Sequence, residues 1–192
     1  DFYHRYKEDI ALLKDMGFGV FRFSLSWSRI FPEGTGKTNP KGVEFYHQLI
    51  DECLANGIEP WITLYHWDLP QALEDQGGWA NREILDWFND YVSFCTQEYG
   101  NKVKNWMVMN EPAAFVGLGY MLGYHAPGKK GPYKFLKATH HACLAMADGG
   151  RMIRMNIPDA NIGSTFSCSQ IDPYRDDPVY GYKDQGAVKR MD

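Results

Sequence analysis

Residues 56–68 read Asn56-Gly57-Ile58-Glu59-Pro60-Trp61-Ile62-Thr63-Leu64-Tyr65-His66-Trp67-Asp68. Gly57 stops a helix, the segment from Ile58 to Tyr65 is a mostly apolar strand, and polar and aromatic groups are set down where that strand ends. The helix before it starts at Asn39-Pro40, where Asn suits the cap and Pro the first turn. Val43, Tyr46, Ile50, Cys53 and Leu54 give it a stripe at helical spacing. Glycine just past the last turn is the common helix stop.

The same unit of helix, tight turn, strand and polar end repeats along the chain. Upstream, a helix over about 4–16 carries Tyr6, Ile10 and Leu13 on one face, stops at Gly17 and leads into a strand over 19–25. Downstream, a helix over about 82–99 with Leu85, Phe88, Val92 and Cys95 in register stops at Gly100 before a strand over 103–109. A loop over 112–132, rich in glycine and proline, follows. A fourth helix spans about 133–155 and contains Gly149-Gly150, each glycine costing up to ~1 kcal/mol. A strand over 162–167 comes next, and residues 182–192 resemble the start of another helix.

Strand–helix alternation with short helix-to-strand turns argues a parallel sheet with helices outside it. The strand-to-helix loops are longer and hold the polar and aromatic residues. That asymmetry is the mark of a (β/α)8 TIM barrel, whose chemistry sits at the C-terminal ends of its strands. The predicted fold class is α/β, with residues 1–192 forming one partial barrel domain of about four parallel strands. A complete barrel needs eight strands and typically about 250 residues, so 192 residues are expected to be an internal part of one. No G-x-G-x-x-G turn follows any strand, which leaves a dinucleotide fold without support.

Composition excludes several classes. Hydrophobic residues make up 44% and charged residues 23%, as in an ordinary globular chain. No apolar run reaches the ~18 residues of a membrane span. A net charge of −4 with mixed signs gives no basic face for a phosphate backbone, so no nucleic-acid or membrane partner is expected. Cys53, Cys95, Cys143 and Cys168 form no C-x-x-C pair, and three lie in helical patterns where a free thiol acts as a small buried hydrophobe. That favours a reducing compartment, the cytoplasm. Neither a metal nor a cofactor is expected: His140-His141 has no further ligand at metal spacing.

At the strand ends the sequence delivers Arg22 and Ser26-Trp27-Ser28-Arg29, then His66-Trp67-Asp68, then Asn110-Glu111-Pro112, then Ser167, Ser169 and Gln170. Carboxyl, amide, imidazole and guanidinium groups among tryptophans suit a carbohydrate, since polar groups bond hydroxyls and aromatic faces cover sugar C–H surfaces. Three segments, Phe21-Arg22-Phe23-Ser24-Leu25-Ser26-Trp27-Ser28-Arg29-Ile30, Tyr65-His66-Trp67-Asp68-Leu69-Pro70 and Trp106-Met107-Val108-Met109-Asn110-Glu111-Pro112, together resemble the family-1 glycoside hydrolases, the β-glucosidase and β-galactosidase group. Tyr3-His4-Arg5-Tyr6-Lys7-Glu8-Asp9 resembles the family's first helix, and the likeness covers essentially the whole chain.

The resemblance implies barrel strands two to five and a retaining β-glycosidase cleaving terminal β-D-glycosides by double displacement. It implies Glu111 as the acid/base carboxyl, protonated to release the leaving oxygen and ionised to activate water. Asn110 matches the residue bonded to the sugar 2-hydroxyl. His66 and Trp67 match glycone-pocket residues, Arg22 matches the cation that orients the nucleophile, and the loop around Gly123 shapes the aglycone side. The family's nucleophile stands in a Glu-Asn-Gly context, and no Glu-Asn-Gly occurs here. The chain by itself is therefore expected to be inactive, its partners being a β-glucoside or related saccharide and the missing barrel half or a second copy of itself.

Other readings stay open at this point. Glu111 before proline could cap a strand end, Arg22 could form a structural ion pair, and His66 could be a core histidine. Trp61, Trp79, Trp87 and Trp106 suit packing, Trp27 is undecided, and Asp68 suits a structural hydrogen bond. A non-catalytic sugar-binding half-barrel is one alternative function. A different sugar hydrolase drawing its second carboxylate from Asp68 or Asp172 is another.

Overall fold

The computed structural model describes residues 1–168. Two tight turns set its pattern. Helix α1 (Phe2–Asp15) is followed by strand β1 (Val20–Ser24), and helix α3 (Pro40–Ala55) by strand β2 (Glu59–Tyr65). Gly17 and Gly57 stand at φ 81° and 73°, a region that a side chain disfavours. Around Gly17, its N–H and that of Phe18 bond back to the carbonyls of Lys14 and Leu13; Gly57 and Ile58 do the same to Leu54 and Cys53. This paired closure satisfies the last helical carbonyls and turns the chain directly into a strand. Asn39 stands at the start of α3, but its side-chain amide donates to the Arg29 carbonyl at 3.1 Å instead of capping the helix.

Helix α5 (Ile84–Tyr99), strand β3 (Asn105–Asn110), helix α7 (Pro132–Asn156) and strand β4 (Asn161–Thr165) complete the alternation. Gly100 ends α5 by another route. Its φ is −66°, and a Cβ there would lie 2.6 Å from Ile157 Cδ1, so the position is short of space and has no need of a left-handed turn. Helix α7 runs unbroken through Gly149-Gly150. A Cβ on Gly149 would stand 3.0 Å from Val108 Cγ1 and 3.2 Å from Phe88 Cε1, so glycine lets the helix approach the sheet closely.

The four strands form one parallel sheet in the order β1-β2-β3-β4. This is the partial α/β TIM-barrel arrangement expected. Alternate side chains face opposite sides of a strand, and the register puts Phe23, Ile62, Trp106 and Ile162 on the face that the helices cover. Ile62, Leu64, Trp106 and Val108 are buried there, in one core cluster with Phe88, Tyr91, Val92 and Cys95 of α5. Arg22, Trp61, Asn105 and Asn161 form a row on the opposite face. Near its lower end, Asn161 Nδ2 donates to Asn105 Oδ1 (2.9 Å), and Asn105 Nδ2 donates to Glu59 Oε1 (2.7 Å).

The sequence missed three single-turn helices: α2 (Trp27–Ile30), α4 (Gln71–Glu74) and α6 (Pro112–Val116). The last, with a π-turn at Gly117–Met121, occupies the segment expected to be loop. Pro112 at the first helical position and the alanines after it favour that helix, while Gly117 and Gly119 obscure it. Trp27 is buried, stacked on Tyr91 at 4.7 Å between ring centroids, with its indole N–H on the Gly34 carbonyl at 2.8 Å. It is core. Trp79 and Trp106 are core as expected, and Trp61 and Trp87 are partly buried. Cys53 and Cys95 are buried free thiols, whereas Cys143 is exposed, on the outer side of α7. The expected helix over 182–192 lies outside the described residues.

Candidate active site

Four of the five residues chosen from the sequence, His66, Trp67, Asn110 and Glu111, stand at the C-terminal ends of β2 and β3, whereas Arg22 lies in the middle of β1 and reaches Asn110 with its long side chain; a bulge in β3 decides how they meet. Met107 pairs with Gly163 and Asn110 with Thr165, so three steps along β3 match two along β4. The extra residue reverses the alternation and re-aims the side chains beyond it. Asn110 is thereby placed on the face that carries Arg22. Asn110 is 4% exposed, and its Oδ1 accepts from Arg22 Nη2 at 3.1 Å and Thr165 Oγ1 at 2.8 Å. Two donors on one atom identify it as the amide oxygen, and the amide Nδ2 is left as a donor at the rim.

Among the described residues, the two with positive φ other than glycine are Glu111 (φ 42°) and Trp67 (φ 74°). A side chain held there costs about 1–3 kcal/mol and persists only where the surroundings over-determine it. For Glu111 those surroundings are explicit. Its N–H donates to the Thr165 carbonyl at 2.9 Å, and Pro112 disfavours a right-handed helical conformation at the residue before it. The chain turns sharply from β3 into α6, and the half-exposed Glu111 side chain makes no capping bond to that helix. For Trp67, the indole N–H donates to the Asn110 carbonyl at 2.8 Å, and the ring lies 5.4 Å from His66 and 5.3 Å from His125. Trp67 thus ties the end of β2 to the end of β3.

His66 is exposed at the rim. Its pKa lies below the usual 6.5, chiefly through partial burial and then through the Arg22 charge, with Glu111 pulling the other way. Those influences place an imidazole, a guanidinium and a carboxyl within electrostatic reach of one another. Arg22 is exposed and bonds the neutral Asn110, so the ion-pair reading finds no partner among the described residues. His66 is not a core histidine.

Asp68 belongs to a different environment. Its Oδ2 accepts from the Trp27 N–H at 3.0 Å, at the start of α2, and burial raises its pKa. Its charge acts on Tyr46, Tyr65 and Tyr91 in the core. Asp172, Ser169 and Gln170 lie outside the described residues. β4 ends at Thr165, so that residue, and not Ser167, is what it adds to the site. Thr165 and His125 were missed: a lone threonine or histidine has no signal until the bulge and the loop bring it in. Among the described residues, no group of three or more His, Cys, Asp or Glu side chains is placed to hold a metal, and no helix is long and apolar enough to cross a membrane.

A parallel sheet covered on one face by helices, with a carboxyl, an amide, an imidazole and a guanidinium at the strand ends, defines a partial TIM barrel of the glycosidase type. The family model described as "Glycosyl hydrolase family 1" matches residues 1–186. β-Glucosidase A of Thermotoga maritima is 44% identical over 173 residues, covering 90% of this chain and 39% of that protein. β-Glucosidase A of Acetivibrio thermocellus is 48% identical over 170 residues, covering 88% and 38%. An aryl-phospho-β-D-glucosidase of Bacillus subtilis is 44% identical over 179 residues, covering 93% and 38%. A solved structure of a family 1 β-glucosidase from T. maritima superposes with a TM-score of 0.95 at 42% identity, covering 100% of this chain and 42% of that one. The chain belongs to glycosyl hydrolase family 1. It spans about two fifths of the length of the curated relatives it matches.

Proposed function

We propose that this chain forms the acid/base and glycone-binding part of a retaining β-glycosidase that hydrolyses terminal β-D-glucosides. The observation that carries the reading is the Asn110-Glu111 pair at the bulged end of β3. The strained Glu111 backbone aims a carboxyl at the open rim, and Asn110 keeps an amide donor free beside it. In this reading Glu111 protonates the departing oxygen and then activates water. Asn110 Nδ2 donates to the 2-hydroxyl, His66 and Trp67 hold the glycone, and Arg22 orients the nucleophilic carboxylate. A saccharide partner is supported by relatives named as β-glucosidases and by T. maritima structures in complex with deoxynojirimycin and glucoimidazole.

The sequence contains no Glu-Asn-Gly. We therefore expect the 192-residue chain alone to leave an aryl β-glucoside unhydrolysed. The roles are tested in a chimera in which this chain replaces the matching segment of the T. maritima enzyme. Glu111→Gln in that chimera should slow glucosides of poor leaving groups by about 100- to 10,000-fold. It should slow p-nitrophenyl glucoside cleavage less, because that leaving group needs little proton assistance. Equal rates with and without Glu111 would sink the assignment. Cytoplasmic placement is likewise our reading, supported by the buried free thiols of Cys53 and Cys95.

A further inference from the structure

Beyond the rim residues, a buried carboxylate joins the two loops that carry them. Glu74 ends α4, in the loop that begins at His66-Trp67, and Tyr120 sits in the π-turn that follows Glu111 and α6. The Glu74 side chain is only 9% exposed. Tyr120 Oη donates to Glu74 Oε2 at 2.6 Å and accepts from the Trp79 N–H at 3.1 Å. Burial first, and the hydrogen bond to Glu74 second, push the phenol well above its ordinary pKa, so it stays the proton-bearing partner. The backbone is shaped around the pair: a Cβ on Gly78 would lie 2.0 Å from Glu74 Oε2 and 2.8 Å from Tyr120 Oη.

Glu74 Oε1 is buried without a hydrogen-bond partner, and the Lys129 ammonium stands 3.8 Å away. A buried, half-satisfied carboxylate costs stability relative to apolar packing. What it supplies is direction, because a charge-assisted O–H···O bond tolerates little change in distance or angle while apolar contacts slide. The residue that benefits is Trp67. Trp67, Glu74 and Tyr120 wall one cavity of about 60 Å3. Trp67 itself is strained and is held to β3 by its bond to the Asn110 carbonyl.

We infer that the Tyr120–Glu74 hydrogen bond is a clamp that sets the position of Trp67 and, through it, the Asn110-Glu111 turn. Glu74 and Tyr120 are positioning residues. Their bearing on catalysis rests on the glycosidase reading, whereas the clamp itself is a statement about geometry. It is tested on the 192-residue chain by NMR, following indole N–H exchange. Trp106, whose indole bonds the Val103 carbonyl at the far end of β3, is the internal reference.

Tyr120→Phe and Glu74→Ala should speed exchange at Trp67 by about tenfold, while Trp106 stays within about twofold. Glu74→Gln keeps an acceptor for Tyr120 and should restore Trp67 to within about threefold of the unaltered chain. Equal acceleration at Trp67 and Trp106 would mean a general loss of stability and would overturn the clamp, as would no change at Trp67. If Glu74→Ala does not fold, the isosteric Tyr120→Phe decides. A clamped Trp67 in a chain whose chimera lacks Glu111-dependent hydrolysis would defeat the proposed function and leave the clamp standing.

Discussion

His66 is where the chemistry of the rim is most directly measurable. Burial and Arg22 lower its pKa below 6.5 while Glu111 raises it. An NMR titration of its ring protons should give a midpoint below 6.5; Arg22→Met should move it up and Glu111→Gln further down. A midpoint that ignores both substitutions would show that the three groups do not share a site. The sign for stability follows from proton counts. The unfolded chain binds this proton near pH 6.5 and the native chain binds it less readily, so His66 favours unfolding as pH falls through that window. Thiols give a second residue-scale test. Burial pushes Cys53 up to about 12 and raises Cys95 as well. Iodoacetamide at neutral pH should label Cys143 and Cys168, both exposed, and spare the other two in the native chain. Mass spectrometry of the labelled chain reads the result. In the sequence Cys53, Cys95 and Cys143 look alike, each in a helical pattern; only the packing of α7 against the sheet separates Cys143 from the buried pair.

At the scale of elements, glycines carry the sharpest contrast between sequence and structure. By propensity alone, Gly42→Ala in α3 should stabilise the helix by about 0.5–1 kcal/mol. In the fold, a Cβ at Gly42 would lie 2.1 Å from the Arg29 carbonyl oxygen, which is backbone and has no rotamer to escape into. The expected result is a net loss of about 1–3 kcal/mol, read as a lower urea midpoint. A raised midpoint would show that α2 and α3 can separate at no cost. Gly17 and Gly57 behave as the sequence predicts, since a helix stop is a local event fixed by φ. Gly42, Gly100 and Gly149 answer to neighbours distant in sequence, which no local pattern records. The three single-turn helices were missed for a related reason: one turn is too short to show a 3.6-residue period.

The whole molecule has one face of its sheet packed under helices and the other open among the described residues. Val20 is 46% exposed, and Phe18 and Phe166 near the strand ends are 50% and 60% exposed. β1 pairs with β2 on one side only among the described strands. Open strand edges and apolar faces are adhesive. The 192-residue chain should therefore bind the dye ANS while its near-UV circular dichroism stays native-like, and it should sediment with a concentration-dependent mass. A monodisperse monomer that leaves the dye dark would refute this expectation.

The sequence by itself determined the alternation of helix and strand, the parallel sheet, the two glycine stops and the family motifs. All of these are written in periodicity or in contiguous residues. It also nominated Arg22, His66, Trp67, Asn110 and Glu111, because each stands in such a motif. Only the tertiary structure decided that Asn110 turns to the face of Arg22, since that depends on a register between β3 and β4 more than fifty residues apart in the chain. The same holds for Thr165, His125 and the Glu74–Tyr120 pair, which become neighbours only through packing across loops. Local energetics choose the elements; contacts between elements choose where their side chains meet.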